Sequence, residues 1–295
     1  MHFRTRGELV VDRLNVALLF VIAALMIFPF FYMLVVSFTS YREYMNTDLL
    51  LWPKTWVLDS YRYIFSSKQF MQSIGNTVWI TVIGTVIDLA MTSTMAYGLS
   101  RQVPGRKYIN FMVLLTFLFS GGMIPTYLVV KATGLIDTSW ALILPGAISA
   151  FNLLIMRQFF MGIPNELTEA AIIDGASEMK VYTHIILPLS KPVLAAFGLF
   201  CAVGHWNTFF DAILYLNNPD KWTIQVILRQ IVVLSDTASS LKPTLMAQQV
   251  RDQHLPPPET IGMAAILVAT VPILFVYPFL QKHFAKGVML GAVKG

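Results

Sequence analysis

The sequence predicts an all-α, polytopic membrane protein with six transmembrane helices, and three observations carry that prediction. Hydrophobic residues make up 56% of the 295 positions and charged residues only 13%, with a mean hydropathy of +0.64. A soluble domain carries about 25% charged residues. The apolar residues fall into six runs, each about long enough to cross a bilayer, and basic residues collect in short stretches between them. The net charge of +5 therefore fits residues flanking membrane spans, and nucleic acid is not an expected partner. The single cysteine, Cys201, excludes an internal disulfide framework and a cysteine-based metal cage.

Arg4, Arg6 and Arg13 precede the first run, Leu14 to Phe38, which is too long for a signal-peptide core and lacks a small-residue cleavage site after it. It is read as a retained span kinked at Pro29. Residues 39–73, with Trp52, Trp56, Tyr61 and Tyr63, form an outer loop of interface-seeking rings. The second span, Ile74 to Leu99, contains Asp88 near its middle. A charge there costs about 2.5–3.5 kcal/mol on insertion scales, so it needs a polar partner or a watery path. A basic turn follows at Arg101, Arg106 and Lys107. The third span, Tyr108 to Val130, is interrupted by Gly121, Gly122 and Pro125, and the fourth, Ser139 to Phe160, holds Pro145 and Gly146.

Asn165 to Pro188 is different in kind: short, partly polar, and set between apolar runs. Asn165 is expected as the N-cap of a first small helix with Leu167, Ala170, Ala171 and Asp174 on one stripe. Gly175 ends it in the left-handed conformation. Ser177 caps a second helix whose Met179, Tyr182, Ile185 and Ile186 share a face, and Pro188 closes it. Such an amphipathic helix–turn–helix needs something to cover its apolar face.

The fifth span, Leu189 to Leu214, carries His205, Trp206, Asn207 and Asp211 in its second half. A loop from Tyr215 to Thr260 follows, with a turn signal at Asn217 to Asp220 and helical apolar spacing from Trp222 to Leu234. Ile261 to Leu280 is the sixth span, and Lys282, His283, Lys286 and Lys294 occupy the tail. With both termini, the 101–107 turn and the 157–191 region on one side, that side holds twelve Lys and Arg against nine on the other. The greater density places both termini and the Asn165 to Pro188 segment in the cytoplasm.

Within that segment Glu169-Ala170-Ala171, then Gly175, Ile185 and Leu187-Pro188 match the EAA loop of ABC importer permeases in residue type and in every spacing. The stretches HWNTFFDAILYLNNPDKWTIQVILRQ and FLQKHFAKGVMLGAVKG, together with spans two to six, resemble the carbohydrate branch of that family. This is the class of the maltose importer's smaller permease and of oligosaccharide permeases of the alginate type. The resemblance implies the type I importer fold with a cytoplasmic coupling helix at 165–188. The N-terminal tail, first span and outer loop take 1–71, the transmembrane core 72–282 and the cytoplasmic tail 283–295. It also implies a bacterial inner-membrane heterodimer of two permeases, with two cytoplasmic ATPase subunits that bind ATP and Mg, and an extracytoplasmic sugar-binding protein. Glu169, Ala170, Ala171, Asp174, Gly175, Ile185, Leu187 and Pro188 are then the ATPase-coupling residues. Asp88, Trp206, Asn207 and Asp211 are candidates for the substrate path, where rings beside hydrogen-bonding groups suit a sugar.

No catalytic or metal site is expected in the chain. It has no phosphate-binding loop of its own, no G-x-S-x-G or H-E-x-x-H, and scattered histidines. A membrane-embedded enzyme would have only Asp88, His205 and Asp211 to work with. A proton-coupled secondary transporter would use Asp88 and Asp211 as relays but would show internal repeats, and a permease of the same family for a non-sugar solute stays open. Charges in the outer loops, nine basic against eight acidic, do not favour an acidic substrate. The 215–260 loop is longer than a turn requires, and its Ser235 to Pro258 part is expected to touch the binding protein. Shortening that part should leave assembly with the ATPases intact while abolishing stimulation of ATP hydrolysis by loaded binding protein; unchanged stimulation would refute the assignment.

Overall fold

In a computed structural model, residues 6–47, 50–240 and 256–291 are described. Among them the regular structure is helical, with one isolated antiparallel bridge, Thr39 to Trp56. The chain divides into two compact units, residues 1–68 with 228–270 and residues 69–227 with 271–295.

In the first unit, helix α1 (Arg6–Ser37) runs unbroken through Pro29. Its apolar side chains from Val10 to Phe31 are exposed, as expected of a helix solvated by lipid. Only its end is buried, at Val35 and Val36. There the Phe38 and Tyr61 rings lie 4.8 Å apart, tilted by 33°, and the Ser37 and Tyr61 hydroxyls lie 2.9 Å apart. The short helices α2 (Tyr41–Met45) and α3 (Asp59–Ser66) follow. Ser60 of α3 donates to the Thr260 hydroxyl at 3.0 Å, with both residues buried.

The second unit is built on α4 (Lys68–Ser100). Near its start Ile80 joins a core cluster with Val130, Ile143, Ala212 and Leu216; near its end Ala96, Tyr97 and Leu99 join another with Met156, Phe160, Tyr182 and Phe197. Sixteen residues of helix, about 24 Å, separate the two clusters.

The expected third and fourth spans are not continuous helices. The third divides into α5 (Arg106–Leu118) and α6 (Met123–Ala132) around Gly122, whose φ of +83° no side chain favours. The fourth is two 3₁₀ turns, Ser139–Leu142 and Leu144–Gly146, bent by 50° from α7 (Ala150–Met161). Pro145 lacks the N–H a longer helix needs there. Beyond the segment at 165–189, the expected fifth span stops at Trp206 and resumes at Phe210. By length and composition, three described helices can cross a membrane, or five if each bent pair is one span; the six-span count is not reached on that criterion.

Asp137, at φ +60°, ties the first cluster's loops together. Its carboxylate accepts the Asn217 and Asn218 N–H groups at 3.1 and 3.0 Å and the Lys221 ammonium at 2.8 Å, while its own N–H donates to the Tyr215 carbonyl. The Lys221 bond, with help from Asn218, holds this carboxyl below the usual carboxylate range. A lowered folded pKa adds stability that is present above the ordinary carboxylate pKa and is lost as pH falls through the lowered one. Asp137→Asn should therefore lower the unfolding temperature in detergent by a few degrees at pH 7, with the gap closing on acidification. A gap that persists unchanged into acid would mean the charge contributes nothing.

Candidate functional site

The segment at 165–189 is two short helices meeting at Gly175. Helix α8 (Asn165–Ile173) starts after Pro164. The expected Asn165 cap is not formed: Asn165 is already helical, Pro164 holds the cap position in extended geometry (ψ 131°), and the Asn165 carbonyl accepts the Thr168 hydroxyl at 2.8 Å. The end of α8 is a Schellman motif. Gly175 N–H donates to Ile172 O at 3.0 Å and Ala176 N–H to Ala171 O at 2.9 Å, with Gly175 at φ +82°. Ala171 and Ala176 both pack on the cluster beneath. The motif's alanine and glycine thus close one turn together.

Helix α9 (Glu178–Leu189) opens on Ser177, whose side chain accepts from Lys180 N–H at 3.4 Å. Its middle turn, Tyr182–Ile186, is π-helical. The extra residue per turn rotates what precedes it, so Met179 leaves the face expected of it and is exposed, whereas Tyr182 and Ile186 are buried and Ile185 half-buried. Pro188 lies in the last turn, Leu187–Leu189, rather than after it, and Leu187 is half-buried. At Ser190 the chain bends by 81° into α10 (Lys191–Trp206).

Of the expected stripe, Leu167, Ala170 and Asp174 face outward and Ala171 is half-buried. In α8 Thr168 is the buried side chain, while Glu169, Ala170 and Asp174 are exposed along with Leu167, Ile172 and Ile173, the last 85% exposed. Tyr182 anchors α9 through its hydroxyl, 2.7 Å from Ser93 Oγ, and its ring lies 5.1 Å from Tyr97. Arg101, just past α4, donates to the Thr168 hydroxyl at 3.3 Å and to the Tyr97 hydroxyl at 3.0 Å, and Tyr97 donates to the Glu178 carboxylate. Glu169 lines a cleft of 460 Å³ with Arg101, Arg106, Gln102 and Asn165. Sequence reasoning counted Arg101 only as a flanking charge; the i, i+4 spacing of Tyr97 and Arg101 was the available signal.

The expected polar partner of Asp88 is His205. Oδ2 and Nε2 lie 2.8 Å apart, with both side chains about nine-tenths buried, and Cys201 lies against the same carboxylate. This contact depends on Gly84, one turn before Asp88: a Cβ there would sit 2.5 Å from His205 Nε2. Trp206 is buried and lines an apolar cavity of 150 Å³ with Val78, Val82 and Ile273. Asn207 is exposed and turns back to cap α10, donating to Val203 O at 2.9 Å. Asp211 is exposed in the first turn of α11 (Phe210–Tyr215). The expected fifth span is broken at 207–209, which puts Trp206 at the end of α10 and Asp211 on α11. Of the four path candidates, Trp206 and Asn207 adjoin at the end of α10, Asp211 lies on α11, and Asp88 is paired with His205.

A family model described as "Binding-protein-dependent transport system inner membrane component" matches residues 99–290. The chain belongs to this family of ABC importer permeases. The permease is 49% identical over 296 residues to Protein LplC of Bacillus subtilis (strain 168), covering 100% of this chain and 98% of that protein. It is equally 49% identical to YtcP of the same organism, named as a polygalacturonan/rhamnogalacturonan transport system permease, over 96% of this chain and 98% of that one. A chain in the crystal structure of a bacterial ABC transporter involved in import of the acidic polysaccharide alginate superposes with a TM-score of 0.88 at 30% identity, covering 96% of the permease and 100% of that chain. The permease is accordingly a transport subunit of a binding-protein-dependent sugar or oligosaccharide importer, a multi-pass inner-membrane protein of the type I fold.

Gly84→Ala should displace His205 and leave a buried carboxylate unpaired, a loss of about 3–5 kcal/mol read from thermal unfolding. Asp88→Asn keeps a hydrogen-bonding partner and should cost less. Equal unfolding of Gly84→Ala and the parent would show that the close approach is dispensable.

Proposed function

We propose that the Asn165–Leu189 segment is the coupling element through which two ATPase subunits, which bind the ATP and Mg, drive this permease. One observation carries the reading. Two short helices, fixed by a glycine-closed turn, present Leu167, Ile172, Ile173 and Met179 unpartnered beside the exposed Glu169 carboxylate. Apolar surface of that extent needs a protein partner, and the carboxylate suits a basic residue upon it. Six spans with both termini in the cytoplasm would set this surface against cytoplasmic ATPases. A second, different permease completes the path as a heterodimer, and an extracytoplasmic binding protein delivers the sugar, touching the 235–258 part of the outer loop; residues 241–255 of it lie outside the described residues. Closure of the ATPases on ATP then switches the path between inward-facing and outward-facing states.

Asn207 and Asp211, exposed at the break in the fifth span, remain the proposed sugar-facing residues, with Trp206 behind them and Asp88 holding the helix that carries them. The substrate class follows the relatives: an oligosaccharide with uronic acid residues, despite the nearly balanced charge of the outer loops.

Gly175→Asp tests the reading. Among the described residues none beyond its chain neighbours lies within 4 Å of a Cβ at Gly175, so the variant carries only the roughly 1–2 kcal/mol of a left-handed backbone and should fold and insert. The side chain must instead meet whatever docks there. Uptake into proteoliposomes, assayed with a panel of oligogalacturonate, oligoalginate and neutral oligosaccharides, should fall about tenfold or more if docking loses ~1.4 kcal/mol, and ATPase co-purification should weaken. Glu169→Lys should act alike and be partly rescued by charge reversal on the ATPase. Full uptake with normal co-purification for Gly175→Asp would remove the coupling role.

A further inference from the structure

The Gly175 turn joins two helices that have no other covalent restraint on their mutual angle. Of the nine residues of α8, Thr168 has the buried side chain and Ala171 packs half-buried on the cluster beneath, so the Thr168 hydroxyl is the helix's buried polar hold. That hydroxyl accepts from Arg101 Nη1 at 3.3 Å. The same guanidinium uses Nη2 to reach the Tyr97 hydroxyl at 3.0 Å and lies over the Tyr97 ring, 5.0 Å from its centroid. Its Nε points toward the Glu178 carboxylate at 3.9 Å, an ion-pair distance too long for a hydrogen bond, and is buried without any other acceptor. Glu178 begins α9 and takes the Tyr97 proton donor in turn. One planar side chain thus spans both sides of the Gly175 turn and the end of α4. Lysine presents its three donors from a single point and has no plane to lay on the Tyr97 ring, so it cannot reproduce this separated set of contacts.

We propose that Arg101 is a positioning residue that locks α8 and α9 at a fixed angle against the end of α4, and so sets how completely ATPase movement reaches the membrane helices. The proposal rests on the coupling role of Asn165–Leu189. The docking side chains, Leu167, Ile172, Ile173, Met179 and Glu169, are not among those Arg101 holds, so its removal leaves each of them exposed and able to meet the ATPase. What is lost is stiffness: α8 swings on Gly175, and a push on it is spent in bending the turn. The spare Nε donor gives the lock a tighter state, reached when α9 is pressed toward α4 and Glu178 closes the gap.

The test uses the full complex of both permeases, ATPases and binding protein in proteoliposomes, with the panel sugar the parent imports best. Arg101→Met should keep the ATPases and basal hydrolysis at parental levels while sugar imported per ATP hydrolysed falls by about tenfold, the pattern of a lost coupling step rather than lost binding. Arg101→Lys should fall in between, and adding Glu178→Gln to Arg101→Met should change nothing further, as expected for partners in one network. Thr168→Val, nearly isosteric, should lower the ratio in the same direction and serves if Arg101→Met fails to insert. An unchanged ratio in Thr168→Val and either Arg101 variant overturns the proposal, as does loss of the ATPases on Arg101→Met, which would make it an assembly residue. Failure of the coupling role itself shows separately, as full uptake by Gly175→Asp.

Discussion

Helix α4 is the constraint on which the second unit depends, because three separate contacts use it as their common reference. Its Ile80 end carries one core cluster and its Ala96–Leu99 end the other. Midway between them, eight residues from each, sits Asp88 against His205. In lipid, where apolar surface gains nothing by leaving one hydrocarbon environment for another, helices are held by packing and by polar pairs. A buried pair at the midpoint is costly to break and therefore fixes the register of α10 on α4. Gly84 is what lets the imidazole come close enough.

The interruptions elsewhere follow from the same environment. A helix that stops inside a membrane exposes backbone groups that need partners within the protein. Asn207 shows how this is met at one break: its side chain returns to Val203 O and its own N–H does the same at 3.1 Å. At another, just before α6, the Gly122 N–H donates to the Ser120 hydroxyl at 3.2 Å. Both breaks thus place short polar side chains where helical backbone groups lose their partners.

Residue type and spacing made the Gly175 turn legible in advance, because only one residue tolerates φ near +80° without cost. The helix after the outer turn, expected from Trp222 to Leu234 and found as Ile224–Ser240, was equally readable from its apolar period. The same pattern misled in α9, since a π turn adds a residue that no period-3.6 reading anticipates, and Met179 was placed on the wrong face. The Asn165 cap failed because Pro164 occupies the position a capping side chain needs. Asp137 is a loop hub that the sequence does not announce, for its partners lie some 80 residues along the chain and no local pattern encodes them. Gly84 is hidden for the same reason, its neighbour His205 being distant in sequence, and so are the Thr168 and Glu178 contacts of Arg101, of which only the Tyr97 spacing is local.

The 81° bend at Ser190 has a mechanical meaning. Helix α9 meets α10 nearly at a right angle, and α10 is pinned at its opposite end by His205, fifteen residues and about 22 Å from Ser190. A strut fixed at one end and loaded crosswise at the other does not slide; it pivots. Sideways travel of α9 thus becomes tilt of α10 about Asp88, with the largest sweep near Ser190 and little at the pin. Asn207, next to that pin, would turn in place while the far end of the helix is carried along.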